Sequence, residues 1–251
     1  MGELEGLYAI WLREFKVFQR ERSRVVSAIA QPIIWLFLLG YGLGATVDES
    51  AISGLSYQEF LFPGIVSMSV MFGTVFYGLY IVWDRKVDVL KEVLVAPVSR
   101  VTVFFGKVLG GATDAMITAS ILLVLGVGLI GLSPAGVVAG IGIGALLAVG
   151  MVSIGLTLGS FFESFEGFQV VVTFMVFPLF FLSGALFPIE GLDPAFAAAV
   201  QLDPVTYAVD AMRGVLVGVQ YFPMWLDIAV LTAFDLGMIA VGTWAFRRMK
   251  L

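Results

Sequence analysis

The chain contains no cysteine and no histidine. Without cysteine there is no disulfide framework, no thiolate metal site and no thiol nucleophile. Without histidine there is no Ser-His or Cys-His catalysis and no imidazole-bound metal. Charge is scarce too: Asp, Glu, Lys and Arg make up 13% of the 251 residues, against about 25% in soluble domains. What fills the chain is apolar, with 60% hydrophobic residues and a mean hydropathy of +1.02. So little polar surface cannot cover a water-facing globule, so the chain must dissolve in lipid. The apolarity is continuous rather than alternating, which excludes barrel strands. The fold class that follows is an all-α integral membrane protein.

The few charges bracket the spans. Arg24 to Asp48 encloses 23 uncharged residues, Glu59 to Asp84 encloses 24 and Glu166 to Glu190 encloses 23. Asp114 to Glu163 encloses 48, the end of one span plus a whole second one, with Ser133-Pro134 as the turn between them. Asp227 to Arg247 encloses 19, one of them Asp235. A crossing helix needs roughly 20 apolar residues. Six spans are therefore expected, at about 25–46, 60–83, 107–131, 135–160, 168–188 and 227–246. Together they make residues 25–251 a transmembrane domain behind an N-terminal segment of residues 1–24. No cleavable signal peptide is legible, because the first apolar run follows a charged stretch and is long enough to span.

Placing the N-terminus, the 84–106 loop, the 161–167 loop and the C-terminus on one side collects 13 of the 14 Lys and Arg residues there, with Arg213 alone opposite. The positive-inside rule makes that side cytoplasmic, with both termini inside a plasma-membrane protein. The net charge of −5 reflects mostly the outer-loop carboxylates and points to no nucleic-acid partner. In residues 4–22, Leu4, Leu7, Ile10/Trp11, Phe15 and Phe18 recur at helical spacing, the pattern of an amphipathic helix in the membrane interface.

Two loops carry further information. In the 84–106 loop Val87, Leu90 and Val93/Leu94 recur at helical spacing and Ala96-Pro97 ends the helix. Composition alone leaves two readings, a charged connector or a knob gripped by another protein. In the outer loop Asp193-Pro194 and Asp203-Pro204 each set a capping carboxylate before a first-turn proline. Helices of about 7 and 14 residues should follow, too short to cross, dipping into the outer leaflet and returning. Tyr207, Asp210 and Arg213 then share a face where Asp210 and Arg213 can pair, as a brace for the outer lid or as a substrate contact.

Asp114 and Asp235 fall inside spans, where an ionised carboxylate costs about 3 kcal/mol. Each reads as a packing group or as part of a transport path, Asp114 with Thr113 and Thr118 as neighbours. Gly106/Gly110, Gly136/Gly140/Gly144 and Gly155/Gly159 are expected to bring helices of the chain's own bundle close together. No G-x-x-x-x-G-K-[ST] motif occurs, so the chain is not expected to hydrolyse ATP.

Three phrases in order carry a family resemblance: FLFPGIVSMSV opening span 2, LKEVLVAPVSR after it, and FPLFFLSGALFPIEGLDP leading to LDPVTYAVDAMRGVLVG. With six spans they resemble the permease subunit of type-2 ATP-binding-cassette exporters, the drug- and antibiotic-resistance branch most of all. Polysaccharide, nodulation-factor and lipid exporters share the architecture. The last phrase is similar to the family's NP-x-TY-x-x-D-x-x-R, with Asp203 where Asn often stands, then Pro204, Tyr207, Asp210 and Arg213. The resemblance implies a coupling helix gripped by a separate ATPase subunit. Arg85, Val87, Leu90, Lys91, Glu92, Leu94, Pro97 and Arg100 are its candidate contacts. It also implies a permease pair, short re-entrant helices between spans 5 and 6, and ATP and Mg bound by the partner with no cofactor in this chain. An aspartyl protease using Asp114 and Asp235 fails on context, since TDA and FDL stand where YD and GxGD would be needed. An ion-coupled carrier would show inverted repeats, and none is evident.

Overall fold

Six helices are long and apolar enough to cross a bilayer in the computed structural model. It describes residues 2–249 apart from Thr46, Asp48 and residues 88–97, and only the backbone of residues 22–25 and Ala51. The chain opens with α1 (Glu3–Arg20) and α2 (Arg22–Gly44), the latter forming span 1. Span 2 consists of α3 (Tyr57–Val75), a 3₁₀ turn (Phe76–Gly78) and α4 (Leu79–Lys86). Spans 3 to 5 are α5 (Arg100–Ile130), α6 (Pro134–Phe161) and α7 (Phe165–Leu182). Two short helices, α8 (Pro194–Leu202) and α9 (Pro204–Val217), precede span 6, α10 (Met224–Arg248). No strand occurs among the described residues.

Local chemistry sets most of the boundaries. α5 ends on Gly131, whose φ of 71° is left-handed. The Ser133 hydroxyl then accepts from the Gly136 N–H at 3.0 Å, and Pro134 takes the first helical position of α6. At the start of α3, Ser56 and Glu59 form a reciprocal capping box: the Glu59 N–H donates to the Ser56 hydroxyl and the Ser56 N–H to the Glu59 carboxylate.

Two boundaries depart from the sequence reading. Span 5 was expected to run to residue 188, but α7 stops at Leu182 and the chain turns through Gly184 at a φ of 68°. Beyond it Ala185 and Ile189 are buried: Ala185 packs against Gly64 of α3, and the Tyr57 hydroxyl donates to the Leu186 carbonyl. Span 3 was expected from residue 107, but α5 starts at Arg100, where the Ser99 hydroxyl caps it by accepting from the Thr102 N–H at 3.1 Å, and Lys107 lies buried within the helix.

Span 2 is the innermost, with α3 buried nearly all round and packed against α2, α5, α6 and α9. Spans 1, 5 and 6 bury only a strip each. A second apolar cluster, with Ile10, Tyr77, Val103, Phe104 and Phe246, sits at the end of the bundle beside α1. The glycine pairs do pack within the chain. Gly106 and Gly110 receive Ile10 and Glu14 of α1, Gly136 and Gly140 receive α9, and Gly155 and Gly159 lie against the backbone of Val75 and Gly78. α1 therefore docks through Gly6, Ile10, Glu14 and Phe18 on α5, while Leu4 and Tyr8 remain exposed.

Candidate functional site

Where α1, α4 and α5 meet, four charged side chains form a closed cluster. The Lys107 ammonium, fully buried, donates to Asp84 Oδ2 at 2.7 Å and to Glu14 Oε1 at 3.0 Å. Arg13 reaches the same two carboxylates at 2.9 and 2.8 Å, and the Tyr77 hydroxyl donates to Glu14 Oε2 at 2.8 Å. Two cations face two anions, so the cluster is neutral as a whole. Taking such ions out of water costs several kcal/mol each, which only close pairing offsets. The geometry therefore locks α1 to spans 2 and 3.

The cluster lies beside the first of the two points where the 84–106 loop leaves and rejoins the bundle. Both points are tied down. Arg85 donates to the Ser160 and Phe162 carbonyls at 2.8 and 3.0 Å, closing the C-terminus of α6. Arg100 does the same for α10, donating to the Met249 and Arg247 carbonyls at 2.6 and 3.1 Å. Glu3 of α1 accepts from the Ser99 N–H at 3.1 Å and from the Thr102 hydroxyl, and these bonds hold its carboxyl below the usual range. Val87 is exposed. Leu90, Lys91, Glu92, Leu94 and Pro97 lie outside the described residues.

On the opposite end, α8 and α9 have 9 and 14 residues, about 13 and 21 Å long at 1.5 Å per residue, short of a crossing. Asp193 and Asp203 cap them as expected, accepting from Ala195 N–H at 2.9 Å and Val205 N–H at 2.8 Å. The expected pairing of Asp210 with Arg213 is not made: no hydrogen bond or ion pair joins them among the described residues. Asp210 instead accepts from the Tyr221 and Phe222 N–H groups at 2.9 and 2.7 Å, holding the turn before α10. Arg213 donates to the Gly184 carbonyl at 2.9 Å and lies 4.0 Å over the Phe60 ring, holding the turn after α7. Backbone groups on two flanking segments outcompete the neighbour one turn away. Burial pushes the Asp210 carboxyl up and the Arg213 guanidinium down to about 10. Tyr207 donates to the Gln201 carbonyl at 2.8 Å.

Asp203 is the weak point of this brace. Burial pushes its carboxyl up to about 7, and Oδ2 has no hydrogen-bond partner among the described residues. An acid raised from about 4 is neutral in the folded state and ionised in the unfolded state between those two values. Stability therefore falls as pH rises through that window and is flat above it. Asp203→Asn keeps the oxygen that caps α9 and removes the titration. The expected result is equal melting near pH 4 and a variant about 1–3 kcal/mol more stable at pH 8. Melting curves in lipid nanodiscs that shift with pH by the same amount for both proteins would rule this out.

A cavity of about 710 Å³ opens between α2, α3, α4 and the start of α7, with Glu21, Gln31, Phe72, Tyr80, Trp83 and Phe165 among its walls. Residues 5–217 match the family model described as ABC-2 type transporter. The chain belongs to that family. It is thus a multi-pass membrane protein and the transmembrane subunit of an ATP-binding-cassette exporter, a kind of permease that works with an ATP-binding subunit.

Among its relatives, nodulation protein J of Rhizobium leguminosarum bv. viciae is 25% identical over 248 residues, covering 96% of this chain and 93% of the relative. The same protein of Rhizobium meliloti is 26% identical over 243 residues, covering 96% and 92%. The inner membrane transport permease YadH of Escherichia coli is 25% identical over 239 residues, covering 91% and 90%.

The ABC-2 permease buries both intramembrane aspartates. Asp114 lies in α5, where the Thr118 hydroxyl donates to its backbone carbonyl, while Thr113 takes the Trp11 indole N–H at 3.0 Å instead. Asp235 of α10 lies against Gly150 of α6. The charge cluster escaped the sequence reading because Lys107 was counted as a boundary cation. The signal was present: a lysine inside the apolar run VTVFFGKVLGG has to find a carboxylate.

Proposed function

We propose that this permease forms the pathway for export of a hydrophobic or amphiphilic molecule, a drug, lipid or glycan, and that the segment from Val87 to Arg100 transmits the ATPase stroke to it. The carrying observation is the buried cluster of Arg13, Glu14, Asp84 and Lys107, which ties α1 to span 2 and to span 3 beside the loop. A loop anchored in this way at its root, with Arg85 and Arg100 bound to the ends of α6 and α10, moves spans rather than slack chain. ATP and Mg belong to the separate subunit, and this chain is not itself an enzyme. Both termini lie in the cytoplasm, as the 13 of 14 cations on that side argue. The α8–α9 pair re-enters the outer leaflet as a brace.

Two copies of the chain meet through spans 1 and 5, whose sparsely buried faces carry Trp35, Phe37, Phe174 and Phe181. Reversing charge at Glu92 should weaken capture of the ATPase or separate ATP turnover from transport, with Glu190→Lys on the opposite end as the silent control. If Glu92→Lys binds and pumps like the parent, the loop is an ordinary connector. Native mass spectrometry of the same complex counts permeases, and one copy per two ATPase subunits overturns the pairing.

A further inference from the structure

The last turn of α10 carries two arginines that the fold does not use. Basic side chains near a helix C-terminus commonly bond to its last carbonyls, but here Arg100 of α5 already donates to the Arg247 and Met249 carbonyls. The Arg247 and Arg248 side chains are exposed and make no hydrogen bond or ion pair among the described residues. Arg248 is held all the same, its guanidinium 4.7 Å over the Trp244 ring. Stacking takes up the flat face of a guanidinium and leaves the N–H donors on its edge free. Trp244 is itself exposed, with its ring 6.5 Å from that of Phe161 at the end of α6. Its indole N–H has no partner among the described residues. An open stripe leads from this point into the membrane. Gly237, Val241, Trp244 and Arg248 are spaced by four, three and four residues, so they fall on one line along α10. All four are exposed, and a methyl on Gly237 would meet nothing within 4 Å, which leaves a notch there. From the notch to Arg248 is about 16 Å at 1.5 Å per residue, half of a ~30 Å hydrocarbon core and so the depth of one leaflet.

We infer that this stripe binds one anionic phospholipid, its phosphate on the edge donors of Arg248 and the Trp244 N–H, and one acyl chain along Val241 and the Gly237 notch. Guanidinium edges match phosphate oxygens two at a time. Arg247 adds a second positive charge, and no carboxylate lies within ion-pair reach of either arginine among the described residues. That balance favours a head group with net negative charge over a zwitterionic one, whose own cation would face Arg247. An arginine that only snorkels out of the membrane takes any head group, so selectivity separates the two cases. The site is built by spans 4 and 6 and holds whatever the chain exports.

Native mass spectrometry of the full chain, released from nanodiscs of equal phosphatidylglycerol and phosphatidylcholine with matched acyl chains, reads the bound lipid directly. Phosphatidylglycerol should be retained at one molecule per chain and at least tenfold over phosphatidylcholine. Arg248→Gln should cut that preference about fivefold. Arg248→Lys keeps the charge without the planar fork and should fall between the two. Gly237→Leu fills the notch and should lower retention of both lipids. Arg20→Gln removes an exposed cation from the last turn of α1 instead and should leave the preference unchanged. Equal retention of the two lipids overturns the inference, as does a preference that survives Arg248→Gln. So does an equal loss in Arg20→Gln, which would reduce the effect to general surface charge. Excess glycerol phosphate separates the two sources of the phosphate. Retention of the lipid in its presence supports a lipid site, and displacement would show that the arginines hold a free phosphate.

Discussion

Lys107→Met is expected to unfold the loop end of the bundle, at a cost of about 3–5 kcal/mol. The ammonium is wholly enclosed and joins Glu14 to Asp84, so its loss leaves two buried carboxylates facing one another with only the half-exposed Arg13 between them. Met fills the volume but supplies no charge. The first consequence is release of α1, read as new protease sensitivity within Glu3–Arg20 and as an early melting step in nanodiscs. A second variant separates charge from packing. Glu14→Gln, Asp84→Asn and Lys107→Met together remove the three buried charges and leave only Arg13, which is partly exposed and can turn to water, and neutral replacements of a buried set cost far less than a broken one. That triple variant should melt near the parent while losing part of its ATPase coupling, because a rigid ionic joint has become a soft one. A single Lys107→Met protein that melts within about 1 kcal/mol of the parent, with α1 still protected, would show that the cluster is ornamental.

Gly78→Ala should be as damaging, through sterics. The 3₁₀ turn Phe76–Gly78 divides span 2 into α3 and α4 and lies directly on α6. A methyl on Gly78 would overlap the Gly155 carbonyl, and one on Gly155 would overlap the Val75 carbonyl. Both obstacles are backbone, so no rotamer change relieves them, and the two spans must part. Overpacking of a tight core costs about 1–3 kcal/mol or more. Close helix approach in lipid adds the van der Waals contact that is lost along the rest of the pair. Gly142 on the same helix is the control, since a methyl there meets nothing within 4 Å. Gly142→Ala should melt at or above the parent, by the helix preference of Ala over Gly. If Gly78→Ala and Gly142→Ala express and melt alike, the close packing of spans 2 and 4 is wrong. The same turn is where a lever would bend, since α4 carries Asp84 of the cluster below it and Tyr80 and Trp83 of the cavity wall.

What could be read from the residues in order was what each segment decides alone. A bilayer tests every span separately for length and apolarity, so the gaps between charges revealed six spans without any knowledge of their neighbours. Helix starts at Ser133-Pro134, Asp193-Pro194 and Asp203-Pro204 are equally local, because a cap bonds to N–H groups two or three residues away. The same one-dimensional rule misplaced the end of span 5, because the left-handed turn at Gly184 and the packing of Ala185 on Gly64 of α3 are not visible in apolarity.

The site was decided only by tertiary structure. Lys107 meets Glu14 across 93 residues and Asp84 across 23, and no spacing rule connects them. Arg85 and Arg100 find the ends of α6 and α10 because those helices happen to stop beside them. Asp210 and Arg213 share a helical face, yet each bonds to a different flanking turn, since charged groups sealed from water go to whichever partner the packing brings within reach.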